Sequence, residues 1–100
     1  MLNTTIAVIG AGGNGGDIIE FLIRIGVKKL IIYDGDNFSE TNLNRQIYCC
    51  KESINNNKAC YAKQRCEEIN PTVEVIAYPR YCAENYKEDL EILSNVDIIF

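Results

Sequence analysis

The sequence predicts an α/β fold built on a parallel sheet with helices on both faces, truncated in its fourth strand. Three observations carry that reading. Short β-branched apolar runs alternate with stretches of helical periodicity, a glycine-rich turn joins the first run to the first helical stretch, and a last apolar run reaches Phe100. Strands alternating with helices favour parallel pairing through right-handed crossovers, with helices covering the sheet.

Residues 5–9 form an apolar run that stops at Gly10, and residues 30–33 form a second that stops at Asp34. Both read as buried strands, because a strand covered on two faces shows a continuous apolar run. Between them, residues 13–25 set Ile18, Ile19, Leu22 and Ile25 on one helical face, with Gly26 where a C-terminal cap glycine belongs. A second helix over 58–69 repeats Ala59, Ala62, Cys66 and Ile69 at helical spacing and gives way to Pro71. Residues 73–78 read as the third strand. Residues 86–93 place Tyr86, Leu90 and Leu93 on one face of a short helix, and residues 96–100 begin a fourth buried strand. The connection over 34–57 far exceeds the usual span of about 4–6 residues, which in a small domain marks it as functional or disordered. Asn55, Asn56 and Asn57 form a polar turn before the second helix.

Composition narrows the function. One hundred residues make one ordinary domain or part of one, too few for a long doubly wound fold. Ten Lys and Arg against fourteen Asp and Glu leave a net charge of −4. With no basic run, non-specific binding to a nucleic-acid backbone is disfavoured. No window approaches the roughly 18 apolar residues of a membrane span, and no secretory leader pattern opens the chain, so a cytoplasmic protein is expected. Cys49, Cys50, Cys60, Cys66 and Cys82 are odd in number, lack a Cys-x-x-Cys pair and have no histidine to join them. They suggest neither a disulfide framework nor a zinc site, and each reads as a small apolar side chain in a reducing compartment.

Gly10, Gly12 and Gly15 make a G-x-G-x-x-G spacing, with Gly13 inside it, directly after a strand and at the opening of a helix. Such a turn lets a phosphate approach the backbone while the helix end offers unpaired N–H groups. It marks a Rossmann-like arrangement. Asp34, ending the second strand, can accept hydrogen bonds from ribose hydroxyls. Glycine turns of this kind serve NAD and FAD enzymes as well as other nucleotide binders. Arg45 in the long connection and Lys58 at the second helix separate these options, since two cations near one glycine turn suit a triphosphate. Taken singly, each cation could be an ordinary solvated charge.

These residues resemble the ThiF/MoeB/HesA family, the adenylyltransferases related to ubiquitin-activating enzymes. The resemblance rests on Gly10-x-Gly12-Gly13-x-Gly15, Asp34-x-Asp36, Asn42-Leu43-Asn44-Arg45-Gln46, Lys58-Ala59 and Asn70-Pro71-x-Val73, and covers the chain from about Thr5 onward. It implies that residues 1–100 are the N-terminal part of a single ATP-binding adenylation domain. Members bind ATP and Mg2+ and join the C-terminal carboxylate of a ubiquitin-like protein of ThiS or MoaD type, or another carboxylate, to AMP with loss of pyrophosphate. One branch modifies tRNA.

Carried onto this sequence, the resemblance implies that Gly10, Gly12, Gly13 and Gly15 shape the phosphate turn. Asp34 holds the ribose, and Asp36 belongs to the same nucleotide site. Arg45 and Lys58 neutralise phosphate charge, Lys58 nearer the reacting phosphorus, and Asn42 and Gln46 fix the loop or touch the nucleotide. Asn55 and Asn57 stand where the family often has glycine and proline. The family's metal-binding aspartate follows the fourth strand, so it is expected beyond Phe100, and Asp97 does not fill that role. The segment before the first strand is too short for the helix that lends an arginine to a partner's site. A homodimer is expected, and the 100 residues alone are expected to be inactive. An NAD-dependent oxidoreductase and a non-catalytic nucleotide-binding subunit of a heterodimer are the alternatives.

Overall fold

The computed structural model describes residues 2–12, 14–37 and 56–100. Four strands, β1 (Leu2–Ile9), β2 (Val27–Tyr33), β3 (Glu74–Tyr78) and β4 (Ile98–Ile99), alternate with helices α1 (Asn14–Ile25), α2 (Lys58–Ile69) and α3 (Tyr86–Ser94). The sheet is parallel throughout, in the order β3-β2-β1-β4. This is the expected α/β architecture. Strand order reverses at β1, so the glycine turn that follows β1 opens at the switch point where α/β sheets leave a crevice.

Period-two alternation divides the strands between two faces. Ile6, Val8, Leu30, Ile32 and Val75 join Ile19, Leu22 and Ile23 of α1 and Ala59, Ala62 and Cys66 of α2 in the larger core. Ala7, Ile31 and Tyr33 meet Ile92, Leu93 and Val96 at the α3 side. Each fully buried branched side chain contributes about 1.5–3 kcal/mol, so the larger core dominates the stability. The two small alanines let α2 approach closely, and Asn70 joins the layers by donating from Nδ2 to the Ile23 carbonyl at 3.1 Å.

Five local expectations are corrected. β1 begins at Leu2, with a register shift before Thr5, and β2 begins at Val27, where Lys28 and Lys29 hid the strand by breaking the apolar run. Ile25 is exposed while Ile23 is fully buried, because at about 100° per residue the buried face of α1 centres on Ile19, Leu22 and Ile23 and Ile25 falls at its edge. In α3 the expected face is reversed at its centre. Tyr86 and Leu90 are 66% and 57% exposed and Asp89 is buried, because Asp89 is drawn inward by hydrogen bonds to Tyr33, Arg80 and Ala83. Finally, Ile98 and Ile99 are exposed, since among the described residues β4 pairs with β1 alone.

Candidate functional site

The site is built at the carboxyl ends of β1 and β2. Gly10 turns the chain at φ +99, a conformation that a side chain would strain, while its amide donates to the Tyr33 carbonyl at 2.7 Å. The space around its missing Cβ is open, so the backbone there can be approached by a ligand. Gly15 has the opposite reason to be glycine: a Cβ would lie 1.9 Å from the Gly10 carbonyl oxygen. The first turn of α1 therefore rests directly on the glycine turn, and the Gly15 amide donates to the Gly12 carbonyl at 3.0 Å. Gly13 lies outside the described residues.

Asp34 fastens this turn to the next one. Its Oδ2 accepts the Ala11 amide at 2.8 Å and its Oδ1 accepts the Asp36 amide at 2.9 Å, with the residue 8% exposed. A carboxylate oxygen has a second lone pair, so both retain capacity toward a further donor. Asp36 then receives α2: its carbonyl accepts the Lys58 amide at 2.9 Å. Asn57 caps α2 by accepting the Cys60 amide at 3.0 Å, and its Nδ2 donates to the carbonyls of Asp34 at 2.8 Å and Asp36 at 3.3 Å. Asn37 and Asn57 form an antiparallel bridge, which ties the turn after β2 to the start of α2. Gly10, Gly12, Gly15, Asp34, Asp36 and Lys58 thus gather at one corner of the sheet. Asn42, Arg45 and Gln46 lie outside the described residues.

Other groups fall elsewhere. Asp97 sits at the opposite end of the sheet, where its Oδ2 accepts the Thr5 amide at 2.8 Å. Burial pushes the Cys66 thiol up to about 12, so it is a core side chain. Among the described residues there is no group of three His, Cys, Asp or Glu side chains able to hold a metal, and no helix is long and apolar enough to cross a membrane.

Two features escaped the sequence reading. Asn57 was legible in principle, since asparagine directly before a helix is a favoured N-cap. The second had no local signal. Beneath the sheet, Asp89 accepts from the Tyr33 hydroxyl at 2.8 Å and from Arg80 Nη2 at 2.6 Å, while the Arg80 guanidinium lies 4.8 Å from the Tyr78 ring centre, itself stacked on Tyr33 at 4.8 Å. Arg80 holds the Asp89 carboxyl below the usual carboxylate range, and burial with the Asp89 bond drives the Tyr33 hydroxyl far up.

A glycine turn clamped to an acid at the end of β2, in a parallel sheet ordered 3-2-1-4, defines the Rossmann-like class of nucleotide-binding folds. Comparison with known proteins narrows the class. The ThiF family model matches residues 1–100, and the chain belongs to that family. It is 35% identical over 96 residues to the sulfur carrier protein adenylyltransferase of Thermus thermophilus, and 38% identical over 87 residues to the tRNA threonylcarbamoyladenosine dehydratase of Bacillus subtilis. Those matches cover 95% and 86% of this chain but 34% of each relative, so the chain spans about a third of their length.

Among solved structures, it superposes on E. coli tRNA N6-threonylcarbamoyladenosine dehydratase with a TM-score of 0.88 at 27% identity, covering 96% of this chain and 40% of that one. The ATP complex of the same enzyme matches with a TM-score of 0.82 at 29% identity, covering 89% and 37%. E. coli MccB with ATP gives 0.84 at 26%, covering 97% and 29%.

Proposed function

We propose that this chain is the ATP-binding part of an adenylyltransferase that activates the C-terminal carboxylate of a ubiquitin-like sulfur-carrier or modifier protein as an acyl-adenylate. One observation carries the reading: the Gly10–Gly15 turn, Asp34 and the start of α2 at Lys58 are joined by direct hydrogen bonds into one corner. The fit to ATP rests on the open space beside Gly10 and on the α1 N-terminus packed against the turn at Gly15. Gly10, Gly12, Gly13 and Gly15 bring backbone close to the phosphates. Asp34 and Asp36 face the ribose, Arg45 and Lys58 neutralise the phosphates, and Asn42 and Gln46 order the loop around them.

In the reaction, a carboxylate oxygen attacks the α-phosphorus, the bond from phosphorus to the bridging β-phosphate oxygen breaks, and pyrophosphate leaves with that electron pair. The protein's part is positioning and charge neutralisation, which dominate phosphorus chemistry. Magnesium would add charge neutralisation at the phosphates beside Arg45 and Lys58. The protein acts as a homodimer in the cytoplasm, a compartment that suits the free thiols of Cys60, Cys66 and Cys82.

A second substrate reading, a carboxylate on a modified tRNA base, draws support from the 38% identity to the Bacillus subtilis dehydratase. The net charge of −4 weighs against this chain itself forming the tRNA surface. ATP–pyrophosphate exchange by the full-length protein tests the proposal. Exchange stimulated by a ubiquitin-like protein ending in glycine supports it, and stoichiometric NAD binding without exchange contradicts it in favour of an oxidoreductase.

A further inference from the structure

Tyr81 follows β3 and meets the acidic turn after β2, forty-five residues away in sequence. Its hydroxyl donates to Asp36 Oδ1, and its ring lies over Gly35, where an added Cβ would come within 2.6 Å of a ring carbon. The residue is held from behind as well: its amide donates to Glu84 Oε1 at 3.1 Å and its carbonyl accepts the Glu84 amide at 3.2 Å. Yet 53% of its surface is exposed, so the contact sits at the rim of the corner and not in the core.

Asp36 is otherwise committed through its backbone. Its amide is taken by Asp34 and its carbonyl by Lys58 and Asn57. With Oδ1 already accepting from Tyr81, Oδ2 is, among the described residues, the Asp36 oxygen with both lone pairs open toward a ligand hydroxyl. We propose that Tyr81 is a positioning residue for the nucleotide: by fixing Oδ1 of Asp36 it presents Oδ2 to a ribose hydroxyl. The inference rests on the ATP reading above. An exposed aspartate on a surface turn samples several rotamers, and fixing it before the ligand arrives removes that ordering cost from binding. The neighbouring carboxylates keep the proton on the Tyr81 hydroxyl, so it remains a donor across the physiological range.

The test is calorimetric titration of the full-length protein and its Tyr81→Phe, Asp36→Asn and doubly substituted variants with ATP and with 2′,3′-dideoxy-ATP. Phenylalanine keeps the ring on Gly35 and removes only the hydroxyl. The expected result is about tenfold weaker ATP binding in Tyr81→Phe with an unchanged melting temperature, little change for the dideoxy analogue, and little added effect in the Asp36→Asn background. Wild-type protein that binds ATP while Tyr81→Phe weakens both nucleotides equally, leaves both unchanged, or adds in full to Asp36→Asn overturns the Tyr81 assignment alone. Wild-type protein that binds no ATP overturns the proposed function and this inference with it.

Discussion

Asp34 and Ala11 stand 23 residues apart in sequence, and the carboxylate of the first accepts the amide of the second at 2.8 Å in a buried contact. The acid at the end of β2 is therefore a structural clamp on the glycine turn before any ligand arrives. Its other oxygen holds the Asp36 amide, so one side chain sets the spacing of two turns. Asp34→Ala leaves two amides unpartnered and is expected to lower stability by about 2–4 kcal/mol. Asp34→Asn keeps one acceptor and is expected to lose about half of that. Denaturant unfolding checks the order, and equal stability of the three proteins contradicts the clamp.

Gly15→Ala is expected to be far more harmful than Gly10→Ala is to packing, because only at Gly15 would the new methyl meet backbone, at 1.9 Å. The first turn of α1 must then move off the glycine turn. The predicted outcome is loss of ATP affinity by at least about tenfold and a lower melting temperature, while Gly10→Ala is strained by its positive φ alone.

Asn57 separates capping from clamping. Asn57→Ala removes the cap on α2 and is expected to cost about 1 kcal/mol or somewhat more, since the Asp34 and Asp36 carbonyls lose a donor too. Asn57→Asp keeps the cap oxygen and loses that donor. Thermal melts should rank wild type above Asn57→Asp above Asn57→Ala if capping is the larger part.

The buried Asp89 makes α3 sensitive to acid. Its folded pKa lies below the unfolded value of about 3.9, so its contribution is fully present above that value and is lost as pH falls through the folded one. Stability should decline below about pH 4, and Asp89→Asn should be less stable at neutral pH by about 3 kcal/mol with a shallower decline in acid. Parallel decline in the two proteins, measured by denaturant midpoints between pH 2 and 7, contradicts the assignment.

The fold was legible because β-branched runs and helical spacing alternate cleanly, and the corner that forms the candidate site was legible wherever a motif is local. Gly10, Gly15, Asp34 and Lys58 each stand at a junction between a predicted strand and a predicted helix, and all four meet at one corner. What escaped depends on contacts distant in sequence. Periodicity put Leu90 inward, yet Asp89 is the buried residue, because Tyr33 and Arg80 supply partners that no local pattern around residue 89 reveals. Lys28 and Lys29 masked the start of β2 because a lysine stem can lie along a sheet while its ammonium reaches out, as Lys29 does to Glu74 at 3.6 Å.

In the proposed reaction Lys58 serves an ATP-dependent transfer at phosphorus. Isotope exchange between pyrophosphate and ATP, followed in the full-length protein and in Lys58→Ala with a glycine-terminated ubiquitin-like protein present, tests it most directly. Exchange is expected in the wild type, with a loss of at least about a hundredfold in the variant, as for removal of a charge aimed at a transition state. Exchange retained in Lys58→Ala would contradict it.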